Sequence, residues 1–271
     1  MEFDLDVTKS AQENAEEYFA RSKKLRKKAE GARKAAEELA SRLGKLEKAP
    51  PKEKKFRVIR KREWYERFNW FFTSSGLLAI GGRSASQNEE LNSHHFDAGD
   101  LFFHADIFGA SVVILKSGES ASREICEEAA QFSASFSKAW ENAQTSVDVY
   151  SMRREQVTKS TNNGSLPSGS FLLKGEREWY KNMELKLCAT MRNGIPMIAP
   201  SATCEKLGVE DCIFLSPGSI KKSDAAKAIA RGISSDEIDY IMQHLPAGGF
   251  SITSAKGVEK RHKHWPAAAK V

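Results

Sequence analysis

The stretch Phe68–Lys116 reads FNWFFTSSGLLAIGGRSASQNEELNSHHFDAGDLFFHADIFGASVVILK, and its pattern decides the fold. Its apolar runs are Trp70–Phe72, Leu77–Ile80, Leu101–Phe103 and Val112–Leu115, punctuated by Gly76, Gly81-Gly82, Gly99 and Gly109. Short β-rich runs bounded by Gly, Asp and Ser predict strands. The turn Ser74-Ser75-Gly76 predicts that the first two pair as a hairpin. Between the second and third runs, Ser84 or Ser86 can cap a short helix, with Glu89 near its first turn. The core of the protein is expected here.

Downstream, SGESASREICEEAAQFSASFSKAWENA repeats apolar residues Ile125, Ala129, Phe132, Phe136 and Trp140 at three and four. That spacing predicts one helix over 122–143 with a broad buried face, capped by Ser120 or Ser122. TSVDVYSM alternates as a strand, REQVTKSTNNGSLPSGS reads as a polar exposed loop, and FLLKG as a short final strand. Upstream, KREWYERFNWFF offers Trp64, Tyr65, Phe68 and Trp70 as anchors. Aromatics among Lys and Arg can stack on bases, but beside a strand the core reading is preferred. From about Glu176 the composition changes. ELKLCATM and IAPSATCEKLG are short elements, and DCIFLSPGSIKKSDAAKAIARG predicts strand, Pro-Gly turn and a helix capped at Ser223-Asp224. SSDEIDYIMQHL starts a second helix, and the tail KGVEKRHKHWPAAAKV is expected to be disordered.

The N-terminal part, from about Thr8 to Lys48, is rich in Ala, Glu, Lys, Arg and Leu and holds no Pro. That is helix composition. A narrow Ala-heavy stripe predicts a coiled-coil arm that needs a partner helix, and Ala49-Pro50-Pro51 stops it. Arg21, Lys23, Lys24, Arg26, Lys27, Lys28, Arg33 and Lys34 face a single Glu30 between Arg21 and Lys34. This is either a solvated face or a rod for RNA phosphates. The expected domains are 1–50, a basic arm; 51–191, an α+β domain; and 192–271, a small C-terminal extension.

The 271 residues carry a net charge of +6, which leans toward an anionic partner. Cys126, Cys188, Cys204 and Cys212 lack CxxC spacing, so a zinc ribbon or thioredoxin-like site is not indicated. Scattered thiols fit a reducing cytoplasm, with a Cys204–Cys212 pair left open. No apolar run approaches the ~20 residues that span a bilayer, and the first residues lack a signal-peptide core. A soluble cytoplasmic protein is expected. The polar group His94, His95, Asp97, Asp100, His104 and Asp106 has neither HxxxH nor HxH spacing, so no metal site is expected. No GxSxG is present, and Gly81-Gly82-Arg83 lacks P-loop and dinucleotide spacing. No catalytic residue, cofactor or enzymatic activity is expected. His104 is read as hydrogen-bonded to Asp106 ahead of the Gly109 turn, or as an RNA contact.

Four strings carry a family resemblance: WYERFNWFFTSSGLLAIGGRSASQNEEL, DLFFHADIFGASVVILK, SVDVYSMRREQVTKS and LPSGSFLLKGEREWY. In this order, over roughly Glu63 to Met191, they resemble the NFACT-R domain of ribosome-quality-control NFACT proteins. These are NEMF and its archaeal and bacterial relatives, the latter once called fibronectin-binding proteins. PGSIKKSDAAKAI and DEIDYIMQHLPAGGF resemble the region that follows it in archaeal members, and DLDVTKSAQENAEEYFARSKK the start of the coiled-coil region. The resemblance implies binding to a large ribosomal subunit (rRNA) obstructed by peptidyl-tRNA, and recruitment of tRNA for C-terminal tailing. The NFACT-N and helix-hairpin-helix modules that come first in full-length members are not visible. The chain is therefore expected to be a fragment, or a split-gene product acting with a separate NFACT-N-containing half or through self-association of its arm.

Together these readings predict an α+β fold: a twisted, largely antiparallel sheet packed with helices, preceded by a coiled-coil arm. The leading function is tRNA and rRNA binding. Arg83, Gln87, Asn88 and His104 are expected to face RNA from the matched motifs. Lys116 and Lys159, with Arg26, Lys27 and Lys28 on the arm, are added by charge. The alternatives are a protein-interaction scaffold built on the arm, or general DNA binding through the same basic patch.

Overall fold

Ser10 and Glu13 start the first helix by capping each other. The Ser10 N–H donates to Glu13 Oε2 at 2.8 Å, and the Glu13 N–H donates back to Ser10 Oγ at 3.3 Å. Helix α1 (Ala11–Glu47) then runs for 37 residues, about 55 Å at the standard rise. Its apolar stripe stays open, with Phe19, Leu25 and Leu39 at 81%, 57% and 59% exposed. The helix is thus present from Ala11, as expected. The computed structural model describes residues 4–47, 60–161 and 164–254, and the chain divides between Lys61 and Arg62 into two units. The Ala49-Pro50-Pro51 stop, the first part of KEKKFRVIRKR, Asn162-Asn163 and the C-terminal tail lie outside the described residues.

The second unit opens with a 3-10 turn (Trp64–Arg67) and two hairpin strands, β1 (Asn69–Phe72) and β2 (Leu78–Gly81). They pair antiparallel from Asn69↔Gly81 to Phe72↔Leu78 across the expected turn, where Gly76 takes φ +88°. Phe68 and Trp70 are core, whereas Trp64 stays 39% exposed. Ser84 caps helix α2 (Ala85–His94) by accepting from the Gln87 N–H at 3.2 Å. Glu89 falls beyond that helix's first turn. Strands β3 (Leu101–Ala105) and β4 (Val113–Leu115) follow.

The single helix expected over 122–143 is two, α3 (Arg123–Ser135) and α4 (Lys138–Glu141). Ser137 breaks it. Its hydroxyl donates to the Ala134 carbonyl at 2.7 Å and accepts from the Ala139 N–H at 3.2 Å, closing one helix and opening the next. After β5 (Ser146–Arg153), the expected polar loop holds β6 (Val157–Thr158), β7 (Ser160–Thr161), β8 (Gly164–Ser165) and β9 (Leu172–Leu173). These form two small ribbons, β6 with β9 and β7 with β8. The FLLKG strand therefore does not close the main sheet. That place belongs to β10 (Glu178–Glu184), giving the fully antiparallel order β1-β2-β4-β3-β5-β10.

A second antiparallel sheet starts with β11 (Leu187–Arg192) and β12 (Ile195–Pro200), so the expected boundary at 191 falls inside β11. Asn193 and Gly194, at φ +50° and +78°, make the tight hairpin turn that Asn-Gly favours. After α5 (Ser201–Leu207), β13 (Ile213–Ile220) runs straight through Pro217-Gly218, with a register shift where a turn was expected. Helix α6 (Lys222–Gly232) starts from Lys221 and not from Ser223-Asp224. Helix α7 (Ile238–Gln243) and β14 (Phe250–Ser254) complete the order β12-β11-β13-β14. Cys204 is joined to Cys188, their Cα atoms 6.7 Å apart, and not to Cys212, whose thiol donates to the Val209 carbonyl at 3.3 Å. The fold is α+β with antiparallel sheets.

One continuous core serves both sheets, stitched by buried polar groups. Glu128 on α3, fully buried, accepts from the Ser74 N–H at 2.8 Å, the Ser74 hydroxyl at 2.5 Å and the Thr203 hydroxyl at 2.9 Å. Lys206 Nζ donates to it at 3.1 Å. Tyr240 on α7 donates to Glu66 at 2.8 Å and accepts from Trp70 Nε1 at 3.0 Å.

Candidate nucleic-acid interface

Cross-strand partners share a face of a sheet. In the six-stranded sheet His104 on β3 pairs with Tyr150 on β5, and Tyr150 pairs with Trp179 on β10. The three rings form a row, 5.8 Å and 5.4 Å between centroids. The alternate residues Phe103 and Tyr180 point to the other face and pack into the core, 5.7 Å apart. Two cations lie over the row: Arg177 is 4.4 Å from the Tyr150 ring centroid, and Lys181 is 4.1 Å from that of Trp179. Such cation–π pairs hold a positive charge over the face of a ring. Asp148 anchors Lys181 at 2.8 Å.

Beside His104 and Tyr150 opens a cleft of about 490 Å³ lined by Arg83, Asn88, His104, Phe108, Tyr150 and Phe171, among others. The β3–β4 loop forms its rim, with Gly109 at φ +77° letting the chain turn sharply. Phe108, at the loop's tip, is 96% exposed. A phenyl ring presented in this way to solvent, next to arginine and a concave floor of rings, suits stacking on an unpaired base. Burial pushes the His104 imidazole below its ordinary pKa, so the ring is neutral at physiological pH. Its Nδ1 faces the Tyr150 hydroxyl at 3.4 Å, and this replaces the expected hydrogen bond to Asp106.

The residues expected to face RNA separate by what they touch. Arg83, Asn88 and His104 line the cleft, and burial lowers the Arg83 pKa. The Arg83 guanidinium donates to the carbonyls of Arg67 and Gln243, which fixes its direction. Gln87 and Asn88 serve the backbone. Gln87 accepts from the Arg83 N–H at 3.0 Å and donates to the Arg67 carbonyl at 3.1 Å, while Asn88 accepts from the Val112 N–H at 3.3 Å. Lys116 is held by Asp100 at 2.5 Å, Asp97 at 2.8 Å and the His95 carbonyl at 3.1 Å. Burial opposes its charge, but the two carboxylates outweigh burial and raise its pKa. Lys159 is paired with Glu89, whose pKa that lysine lowers. Neither lysine lines the cleft. Arg26, Lys27 and Lys28 lie on exposed turns of α1.

Charge counting overlooked Phe108, Tyr150, Arg177, Trp179 and Lys181. The alternation Arg177, Trp179, Lys181 was the available signal, since period two puts all three on one face of a strand. Among the described residues no group of three or more His, Cys, Asp and Glu is placed to hold a metal ion. No helix among them is long and apolar enough to cross a membrane.

Residues 67–175 match the family described as the NFACT protein RNA binding domain. The chain is 34% identical over 206 residues to the archaeal Rqc2 homolog aRqcH of Methanocaldococcus jannaschii, covering 73% of this chain and 30% of that protein. It is 30% identical over 191 residues to the ribosome quality control complex subunit NEMF homolog of Drosophila melanogaster, covering 68% of this chain and 19% of that protein. Human NEMF, a ribosome quality control complex subunit, is 31% identical over 173 residues, covering 61% and 16%. The chain thus spans less than a third of the length of these relatives. The body that holds the ring row and the cleft contains, over residues 67–175, an NFACT-R domain of the kind found in the NEMF family.

Proposed function

We propose that this chain is an RNA-binding module of ribosome quality control, acting in the cytoplasm by binding and not by catalysis. The observation that carries the reading is the row His104–Tyr150–Trp179, with Arg177 and Lys181 above it and Phe108 beside it. Stacking platforms flanked by cations bind unpaired nucleotides with little sequence preference. Folded tRNA offers such nucleotides in its loops and 3′ end, and rRNA offers them in exposed loops. The names of the relatives place them in ribosome quality control, and tRNA on an obstructed large subunit is the target proposed here. The cations Arg26, Lys27 and Lys28 on α1 supply phosphate contacts of their own, which add affinity without specifying sequence.

The open apolar stripe of α1 supports one further role, pairing of the arm with a second helix, either of a partner protein or of another copy. This is compatible with RNA binding by the body.

The test is tRNA binding by the intact chain from about 50 to 200 mM salt, where phosphate contacts make affinity fall steeply, with duplex DNA as competitor. A variant with Arg26, Lys27 and Lys28 changed to alanine is run alongside. Preference for tRNA over duplex, retained by the arm variant with a shallower salt slope, supports the reading. Equal competition by duplex DNA would reduce the chain to a general polyanion binder, and no binding at low salt would leave the arm's protein pairing in front.

A further inference from the structure

A second, smaller cleft of about 250 Å³ lies against the first, and Arg83, Gly109 and Ser111 line both. Its other charged walls are Lys138 and Glu141 from α4 and Lys222 from the start of α6. Three cations against one carboxylate leave a net charge of +2. Glu141 sits 3.8 Å from Lys138, so it compensates that lysine alone. Among the described residues, Arg83 and Lys222 have no carboxylate partner. Arg83 donates to two carbonyls, and Lys222 donates to the Leu245 carbonyl at 2.7 Å. These bonds aim the two side chains and leave their charges uncompensated.

Two like charges in one cleft, Lys222 partly buried and Arg83 exposed at its wall, repel each other unless an anion joins them. Burial, and then Arg83, lower the pKa of Lys222, which is how uncompensated cations behave. Elsewhere on this body the engaged lysines face carboxylates: Lys116 meets Asp97 and Asp100, Lys159 meets Glu89, and Lys181 meets Asp148. The cleft of Arg83, Lys138 and Lys222 departs from that pattern.

We infer that this cleft binds a phosphate group, held by the Arg83 guanidinium and the Lys222 ammonium with Lys138 at the mouth. Deepening the RNA reading and resting on it, the phosphate is that of the nucleotide whose base enters the neighbouring cleft. Gly109 and Ser111 are the shared wall, so base and phosphate lie on either side of one loop. Arg83 serves both, and a planar guanidinium is suited to grip phosphate oxygens in pairs. Lys222 lies beyond the 67–175 match, so the C-terminal sheet and its helices complete the site.

The test uses the full chain with two probes. Inorganic phosphate is titrated by ³¹P NMR, and a single-stranded RNA oligonucleotide is titrated by anisotropy over a salt series. The variants are Lys222→Gln, Lys222→Arg and the surface change Lys138→Gln, each checked for an unchanged melting curve. Loss of one phosphate contact lowers the salt slope by about 0.7 and, at about 0.1 M salt, affinity by roughly fivefold. Lys222→Gln is expected to show this loss and to abolish the phosphate shift, with Lys222→Arg restoring both and Lys138→Gln losing part. Should Lys222→Gln bind RNA with the wild-type slope and affinity, the phosphate site is overturned while the RNA reading stands. If Lys222→Gln does not fold, an unchanged slope in folded Lys138→Gln, with no phosphate shift in wild type, overturns it equally. Phosphate binding that needs Lys222, in a chain that binds no RNA, overturns the RNA reading and upholds the anion site.

Discussion

Phe108→Ala separates function from stability more cleanly than any other change in this chain. The ring is 96% exposed at the tip of the β3–β4 loop, so truncating it removes almost no buried apolar surface. Surface changes of this kind shift folding free energy by no more than about 0.5 kcal/mol. If the ring stacks on a base, its loss should cost about 1–3 kcal/mol of binding free energy. At 1.4 kcal/mol per tenfold, that weakens RNA affinity by roughly 5-fold to 140-fold.

The assay is fluorescence anisotropy with labelled single-stranded RNA and with tRNA, at fixed salt and again across a salt series. Phe108→Ala should bind both more weakly, with the salt slope unchanged because no charge has been removed. Phe108→Trp should retain affinity or improve it, since a larger π-face stacks better. Melting temperatures of all three proteins should agree. Wild-type affinity in Phe108→Ala would refute the stacking role. A loss accompanied by a changed salt slope would mean that the loop acts by positioning cations and not by offering a ring.

Two further outcomes follow from buried groups. Glu128→Ala removes a carboxylate that receives four hydrogen bonds from Ser74, Thr203 and Lys206; it should cost about 3–5 kcal/mol in urea unfolding, and a loss under about 1 kcal/mol would sink this account of how α3 and α5 are joined. Burial holds His104 and His244 below the ordinary histidine value of 6.5 when folded, so as pH drops below that value the unfolded chain takes up protons first. Stability should therefore be complete above about pH 6.5 and decline as pH falls through the folded pKa values. Chemical denaturation at pH 7.5 and at pH 5.5 reads this directly; equal or greater stability at the lower pH would contradict it, and His244→Gln should flatten the slope.

Local chemistry explains what could be read in advance. Strands β1 to β4 were legible because each is a short apolar run closed by glycine or a polar turn, and helix α2 because Ser84 precedes it. The break between α3 and α4 was hidden, since Ser137 lies between Phe136 and Trp140 in an unbroken apolar period. Strand β10 was missed because as an edge strand it keeps Glu178, Lys181 and Glu184 exposed, which dilutes its apolar signal. The Asn193-Gly194 turn between β11 and β12 was a plain hairpin signal that went unused. Site residues were harder for a different reason. A lysine's charge is visible in sequence, but its partner is not: Lys159 meets Glu89 across 70 residues, and Lys116 meets Asp97 and Asp100 at 19 and 16. The ring row depends on the register of three strands from residues 104, 150 and 179, which no local pattern specifies.

That dependence on register also bears on what the smallest binding unit is. The 67–175 match ends before Arg177, Trp179 and Lys181, so a fragment cut at its edge loses β10, the end of the ring row and both cations above it. It loses more than surface. Trp70 donates to the Tyr240 hydroxyl at 3.0 Å, Trp140 Nε1 donates to the Gly249 carbonyl at 3.0 Å, and His244 meets the Glu66 carbonyl at 2.9 Å. Each of these ties a buried residue within or next to the matched region to one beyond residue 238. Removing the C-terminal part would leave the Trp70 and Trp140 indoles without these partners, a loss that unpaired buried polar groups make expensive. The C-terminal sheet therefore supports the matched region physically, and it also supplies the Lys222 wall of the phosphate cleft. The proposed ring row and phosphate cleft are therefore a property of residues 62–254 acting as one body.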